Sequence, residues 1–96
     1  MDDMLQMDIN RALMMDGNAA AGTLYEVFAM EMTTSLAECA CCGKRSEMGG
    51  LLAFIHTPGL VLRCPECKDI VLRVVVTPDA YYLDARGAMY LRLVRL

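Results

Sequence analysis

Apolar residues recur at two different spacings along the chain. Over residues 3–15 they stand three or four positions apart, as on one face of a helix, with acidic residues near the start. Asp16, Gly17 and Asn18 then supply a stop and a new helix N-cap, after which the helical spacing returns. We therefore predict two amphipathic helices, the first over residues 3–15 and the second at about 19–30.

From Met32 onward the apolar period is two, which is typical of strands. Alternating residues from Met32 to Leu36 predict a strand that leads into the first cysteines. Residues 51–57 and 60–63 flank Pro58 and Gly59 as the two arms of a hairpin flank its turn.

The segment 70–77 is the clearest predicted strand, because it is rich in β-branched residues and carries a single charge, Arg73. Arg73 marks the side that faces solvent, where Val71 and Val75 would accompany it. The opposite side would carry Ile70, Leu72, Val74 and Val76. Because both sides are apolar, we expect both faces of the sheet to be covered.

Two further segments complete the pattern. Residues 81–86 follow a turn at Pro78 and Asp79, and Gly87 separates them from a final apolar segment, 89–96. Apolar and charged residues alternate in the segment 89–96, which favours a strand over a helix there.

Composition and charge limit the class of protein. Of 96 residues, 56% are hydrophobic, which predicts one folded domain, and a net charge of −3 argues against a dedicated nucleic-acid binder. Residues 1–38 carry seven acidic side chains against Arg11 alone, whereas residues 39–96 are basic, so the two halves can attract each other. The first residues lack the positive charge of a secretion signal, and no uncharged apolar run approaches the roughly 18 residues of a membrane span. We therefore expect a cytoplasmic protein.

In that compartment, five cysteines indicate metal or redox chemistry more than disulfides. Two pairs have the spacing C-x2-C, in which a tight turn aims both sulfurs at one ion, and two such turns complete a tetrahedron. The flanking cations Lys44, Arg45, Arg63 and Lys68 favour the thiolate form. We predict one Zn(II) per chain, with the ligands Cys39, Cys42, Cys64 and Cys67.

A four-cysteine zinc site has no open coordination position, so we expect the metal to support folding and the protein not to be an enzyme. Iron in a rubredoxin-like electron carrier would use the same four ligands, and a dithiol redox or zinc-donating role is a further alternative. Cys41 remains as a spare thiol, either a small residue on the turn or an oxidation-sensitive neighbour of the metal. No catalytic constellation is visible, and a single histidine leaves most acid–base schemes incomplete.

These patterns predict a small metal-stabilised α+β protein. One or two N-terminal helices would precede an antiparallel zinc-ribbon sheet with rubredoxin-like cysteine turns. We expect residues 1–38 to form an acidic helical segment with its lead-in strand, and residues 39–96 to form the zinc-ribbon β domain, both within one cooperative domain.

Several landmarks of the sequence occur in a fixed order: DGNAAAG at 16–22, EVF at 26–28, the first cysteine pair followed by glycine, PGLVLRCPEC at 58–67 and YLDARG at 82–87. Over about residues 16–90 the chain resembles a small bacterial zinc-ribbon family, common in actinobacteria, that is classified as a domain of unknown function. Cys41 and the residues before Asp16 depart from that pattern. The resemblance implies zinc ligands at the four paired cysteines and no established activity, and it keeps an accessory or an electron-transfer role beside oxidoreductases open.

Two functions remain in competition. The favoured one is a protein-interaction module that binds a protein partner or forms a homodimer through Val71, Val75, Leu24 and Phe28. The less favoured one is a nucleic-acid-binding ribbon, in which Tyr82 would stack on bases beside Arg73, Arg86 and Arg92. The sequence identifies neither a small-molecule substrate nor a membrane partner.

Overall fold

The computed structural model of the chain describes residues 14–56 and 59–95. These ranges contain eight strands, one α-helix and two short 3-10 helices. The strands are β1 (Met14–Asp16), β2 (Leu36–Cys39), β3 (Arg45–Glu47), β4 (Leu52–His56), β5 (Gly59–Arg63), β6 (Ile70–Val76), β7 (Tyr81–Asp84) and β8 (Ala88–Arg92). The α-helix, α1, is Ala21–Phe28, and the 3-10 helices are Gly17–Ala20 and Met48–Gly50. The prediction of a small α+β protein with antiparallel sheets is confirmed.

The larger sheet has five antiparallel strands in the order β1-β4-β5-β6-β7. Its centre is the hairpin of β4 and β5, paired from Leu52 with Arg63 to His56 with Gly59. The predicted hairpin is therefore confirmed, except that Gly59, which was predicted in the turn, belongs to β5; the predicted strand at 70–77 is observed as β6. The predicted strand at 81–86 is β7, which ends at Asp84.

Strand β6 contains a β-bulge at its start. The register with β5 shifts between Leu62, which pairs with Leu72, and Arg63, which pairs with Ile70. Val71 is thus the extra residue, and it is 1% exposed, whereas Ile70 is exposed. The predicted alternation is wrong here, because a bulge inserts one residue and reverses the side on which the residues before it lie. From Leu72 to Val74 the prediction holds, with Leu72 and Val74 buried and Arg73 exposed, whereas Val76 at the end of the strand is exposed.

The smaller sheet has three antiparallel strands in the order β3-β2-β8. Strand β8 confirms the preference for a strand in the last segment. The strand predicted from Met32 is wrong before Leu36, because residues 32–35 form a turn in which the Ser35 N–H donates to the Met32 carbonyl at 3.0 Å. The Glu31 carboxylate accepts from the Thr33 N–H and hydroxyl groups, which stabilises this turn against an extended lead-in.

Helix α1 corresponds to the helix predicted at 19–30. The Asp16 side chain caps the preceding 3-10 helix by accepting from the Asn18 N–H at 3.1 Å. The helix ends at Phe28, because Ala29 adopts a left-handed φ of 57° and donates its N–H to the Tyr25 carbonyl.

The helix predicted over residues 3–15 lies mostly outside the described residues. Its last part is wrong, since Met14 and Met15 belong to β1 and pair with Phe54 and Ala53 of β4. Hydrogen bonding to the neighbouring strand satisfies these backbone groups, which a local helical pattern cannot anticipate.

One buried cluster joins the helices to both sheets. Leu24 of α1 and Met48 of the second 3-10 helix are 0% exposed and belong to the same cluster as Ala37 of β2 and Leu62 of β5. Cys39 and Cys64 also belong to it, so the cysteine turns begin at the edge of the core. Among the described residues, no helix is long and apolar enough to cross a membrane.

Candidate metal centre

The two cysteine pairs lie on turns that extend from different sheets. The first turn follows β2 of the three-stranded sheet and leads into β3, and the second connects β5 to β6 of the five-stranded sheet. An ion bound by both pairs would therefore link the two sheets. The Ala40 N–H also donates to the Gly87 carbonyl at 2.8 Å, which continues the pairing of β2 with β8 within the three-stranded sheet.

Both turns have the same backbone hydrogen bonds. In the first, the Gly43 N–H donates to the Cys39 carbonyl at 2.9 Å, and the Cys39 N–H donates to the Lys44 carbonyl at 2.9 Å. In the second, the Lys68 N–H donates to the Cys64 carbonyl at 3.0 Å, and the Cys64 N–H donates to the Asp69 carbonyl at 2.9 Å. This repeated geometry presents both pairs of sulfurs to a common centre.

The structure brings the sulfurs of Cys39, Cys42, Cys64 and Cys67 within 4.8 Å of one another. Two distances cross between the turns: Cys39 Sγ to Cys67 Sγ and Cys42 Sγ to Cys64 Sγ are both 3.6 Å. A tetrahedral ion with metal–sulfur bonds near 2.3 Å separates its sulfur ligands by about 3.8 Å. The cluster therefore fits one four-coordinate thiophilic metal ion.

Protons and a metal ion compete for these sulfurs. Burial is the largest influence on Cys64 and favours its neutral thiol, but the N–H groups of Cys67 and Glu66 and the neighbouring sulfurs outweigh it and lower the pKa to about 7. The Lys44 N–H is the largest influence on Cys42 and favours its thiolate, yet desolvation and the neighbouring thiols together raise the pKa to about 12. Crowded thiolates repel one another, so all four ionise together only around a cation.

Burial divides the cluster into an inner and an outer half. Cys39 and Cys64 are 3% and 1% exposed, whereas Cys67 is half-buried and Cys42 is exposed. The inner sulfurs are shielded by the core, and the outer ones face solvent.

Among the flanking cations, Arg63 and Lys68 stabilise the second turn through its carbonyl groups. Arg63 Nη1 donates to the Lys68 carbonyl at 2.9 Å, and Lys68 Nζ donates to the Pro65 carbonyl at 2.6 Å. Arg45 Nε instead donates to Glu38 on the neighbouring strand at 3.2 Å. The sequence indicated positive charge near the predicted metal site, but not the bonds of Arg63 and Lys68 to the backbone.

Cys41 is exposed on the first turn and lies beside the four-cysteine cluster. Its sulfur, the Cys67 sulfur and a carboxylate oxygen of Asp69 lie within 4.8 Å of one another. The sequence marked Cys41 as a spare thiol and did not predict its proximity to Asp69, because that proximity arises from the packing of the two turns.

The residues predicted for nucleic-acid binding are only partly brought together. Arg73, Tyr82 and Arg86 line one cleft of about 500 Å³, whereas Arg92 lies on β8 of the other sheet. Asp84 is also in this cleft and accepts from Arg86 Nη2 at 2.6 Å. Arg86 lowers the pKa of Asp84 to about 2, so this carboxylate keeps its negative charge.

Two of the four residues predicted to form a homodimer face are buried within the chain. Leu24 and Val71 are 0% and 1% exposed and belong to the core of the chain itself, while Val75 and Phe28 are half-buried. The exposed apolar side chains instead include Tyr81, Tyr82 and Leu83 of β7 and Met89 and Tyr90 of β8.

The fold and the site define a small α+β protein whose two antiparallel sheets meet at a four-cysteine candidate metal centre. The chain belongs to a family of unknown function (DUF6510), whose model matches residues 8–95. No curated protein and no solved structure matches the chain. The family match gives no activity.

Proposed function

We propose that Cys39, Cys42, Cys64 and Cys67 bind one structural Zn(II) as in a zinc ribbon, and that the protein is a protein-interaction or accessory module, not an enzyme. The observation that carries this proposal is the pair of 3.6 Å sulfur contacts between turns of different sheets. Four thiolates complete the coordination of zinc and leave no position for a substrate or water.

A structural role is supported by the place of the site. The buried members Cys39 and Cys64 belong to the hydrophobic core, so zinc would hold core residues of both sheets in position. A chain of this size buries a limited core, and the free energy of metal binding would add to its stability.

An interaction role is supported by the exposed apolar side chains of β7 and β8. Tyr82 is 63% exposed and Met89 is 66% exposed. Aromatic residues and methionine are enriched in protein–protein interfaces. The partner is another protein or a second copy of this chain.

Elemental analysis of the purified protein tests the metal. We expect one equivalent of zinc in the wild type and in Cys41→Ser, and less than one in Cys64→Ser. Stoichiometric iron with a visible charge-transfer spectrum would replace this proposal by the electron-carrier alternative.

Metal removal tests the structural role, and it does not depend on a variant that folds. We expect a chelator to abolish much of the far-ultraviolet circular dichroism of the wild type, and added zinc to restore it. An unchanged spectrum after verified removal would contradict the structural role and favour zinc storage or redox sensing.

Nucleic-acid binding is the second candidate, because Arg73, Tyr82 and Arg86 share one cleft. The Asp84 carboxylate within that cleft and the acidic first part of the chain weigh against it. Light scattering for mass and titration with DNA and RNA over a range of salt separate the two functions. If the protein is a monomer and its affinity for nucleic acid falls steeply as salt rises, nucleic-acid binding at the cleft would be favoured over protein interaction.

A further inference from the structure

Cys41 lies against the four-cysteine cluster without belonging to it. Its sulfur is within 4.8 Å of the Cys67 sulfur, and Cys67 is common to the four-cysteine group and to the group formed with Cys41 and Asp69. Cys67 is therefore the predicted metal ligand that has a fifth thiol at its side.

The two sulfurs are also accessible to a small oxidant. Cys41 is exposed, as are all its neighbours from Ala40 to Arg45, and Cys67 is half-buried. The other thiols near Cys67 are the three remaining members of the four-cysteine cluster; Cys39, at 3.6 Å, and Cys64 are only 3% and 1% exposed, and Cys42 is exposed but belongs to the predicted metal ligands. An exposed turn can move the short distance that a sulfur–sulfur bond near 2.05 Å requires.

We propose that Cys41 and Cys67 form a redox pair, which hydrogen peroxide oxidises to a disulfide, and that this disulfide removes one ligand and releases the metal. The metal-release step rests on the zinc site proposed above. Disulfide formation rests on the position and exposure of the two sulfurs.

The chemistry needs one molecule of peroxide. The Cys67 thiolate attacks one peroxide oxygen, the O–O bond breaks, and a sulfenic acid and hydroxide form. The Cys41 thiol then attacks the sulfenic sulfur, the S–O bond breaks, and the disulfide and water form. The two sulfurs together lose two electrons, and the two peroxide oxygens gain them.

Cys41 is better suited to the second step than the three remaining ligand thiols. In the loaded protein Cys39, Cys42 and Cys64 are engaged with the metal, and Cys39 and Cys64 are also shielded by the core, whereas Cys41 is outside the tetrahedral set and exposed. Its attack leaves the other three ligands in place until the ion dissociates.

The experiment treats the zinc-loaded full chain with hydrogen peroxide and follows zinc release with a chromogenic chelator. Cys41→Ser removes the proposed partner, and Ala40→Ser on the same turn is the matched control. We expect Cys41→Ser to slow release by about tenfold, since only metal-bound thiolates are then left to attack the sulfenic acid. Ala40→Ser should release zinc at the wild-type rate.

Mass spectrometry of the first oxidation product should identify a disulfide between Cys41 and Cys67. A first disulfide between other cysteines, or equal release from the wild type and Cys41→Ser, would overturn the proposal. A second equivalent of zinc that is lost in Cys41→Ser would also overturn it, because Cys41, Cys67 and Asp69 would then form a second metal site. If the wild type contains no zinc, the structural proposal fails, and disulfide mapping still decides whether the redox pair exists.

Discussion

Gly43 and Lys68 occupy equivalent positions in the two cysteine turns. Each follows the second cysteine of its pair and has a left-handed backbone, with φ of 77° and 69°. Glycine adopts this conformation without strain, whereas a side chain places its Cβ close to the carbonyl oxygen. Lys68 therefore has the less favourable residue type for its conformation, and its Nζ offsets part of that cost by bonding to the Pro65 carbonyl.

The first prediction concerns these two positions. Lys68→Ala removes the bond of Nζ, and Lys68→Gly removes it and also relieves the left-handed strain. We expect the zinc-loaded glycine variant to be more stable than the alanine variant by about 1 kcal/mol, and Gly43→Ala to cost about 1 kcal/mol. Denaturant unfolding with excess zinc measures these differences. Equal stability of the two Lys68 variants would contradict the assigned strain.

The second prediction concerns Gly87, which connects the first cysteine turn to the larger sheet. A Cβ at this position would lie 1.7 Å from the Ile70 carbonyl oxygen and 2.8 Å from the Val71 Cα, so the backbone must move. We expect Gly87→Ala to lower the free energy of unfolding by about 2–4 kcal/mol, as severe overpacking does.

Gly50 provides the matched control for this change, because a Cβ there meets nothing within 4 Å. Gly50→Ala should alter the free energy of unfolding by less than about 0.5 kcal/mol. Thermal or denaturant unfolding measures both variants. If Gly87→Ala lowered the free energy of unfolding no more than Gly50→Ala does, the close contact between Gly87 and Ile70 would be contradicted.

The strands were predictable where the local pattern alone decides them. The hairpin of β4 and β5 is an example, since two short apolar segments flank Pro58 and Gly59 in the sequence. The bulge at Val71 was not predictable, because it depends on how β6 pairs with β5. A one-residue shift in that pairing leaves no trace in the local pattern, yet it exchanges the exposure of Ile70 and Val71.

The same distinction applies to the site. The spacing of the cysteine pairs is a local signal, and the structure brings their four sulfurs together. The left-handed conformation of Lys68 has no local signal in the sequence. A glycine, as at position 43, indicates a left-handed residue, whereas a lysine does not. The proximity of Cys41 to Asp69 and of Arg73 to Asp84 depends on contacts between distant segments, which no local spacing encodes.

The third prediction concerns the cap formed by Asp16. Its side chain accepts from the Asn18 N–H at 3.1 Å where the chain leaves β1. We expect Asp16→Ala to lower the free energy of unfolding by about 1 kcal/mol, because this N–H loses its partner. Asp16→Asn keeps an acceptor oxygen and should lose less. The assignment fails if the alanine and asparagine variants unfold at the same denaturant concentration.

The fourth prediction concerns the contact between helix α1 and strand β7. The Tyr81 hydroxyl donates to Glu26 Oε2 at 3.1 Å, and this bond, together with the negative charge of Glu26, raises the pKa of Tyr81 above its ordinary value of 10.0. The folded protein thus holds the phenolic proton more tightly than the unfolded chain. The resulting stabilisation is complete below pH 10.0 and is lost as the pH rises through the raised pKa of the folded state.

Titration of tyrosinate absorbance measures this effect in the zinc-loaded protein. We expect Tyr81 to give a late component that ionises above pH 10.0. Tyr81→Phe should remove that late component, and Glu26→Gln should shift it to lower pH, because the amide keeps an acceptor but removes the charge. The stability difference between the wild type and Tyr81→Phe should stay constant up to about pH 10 and shrink above it. A late component that persists in Glu26→Gln would show that another group raises this pKa.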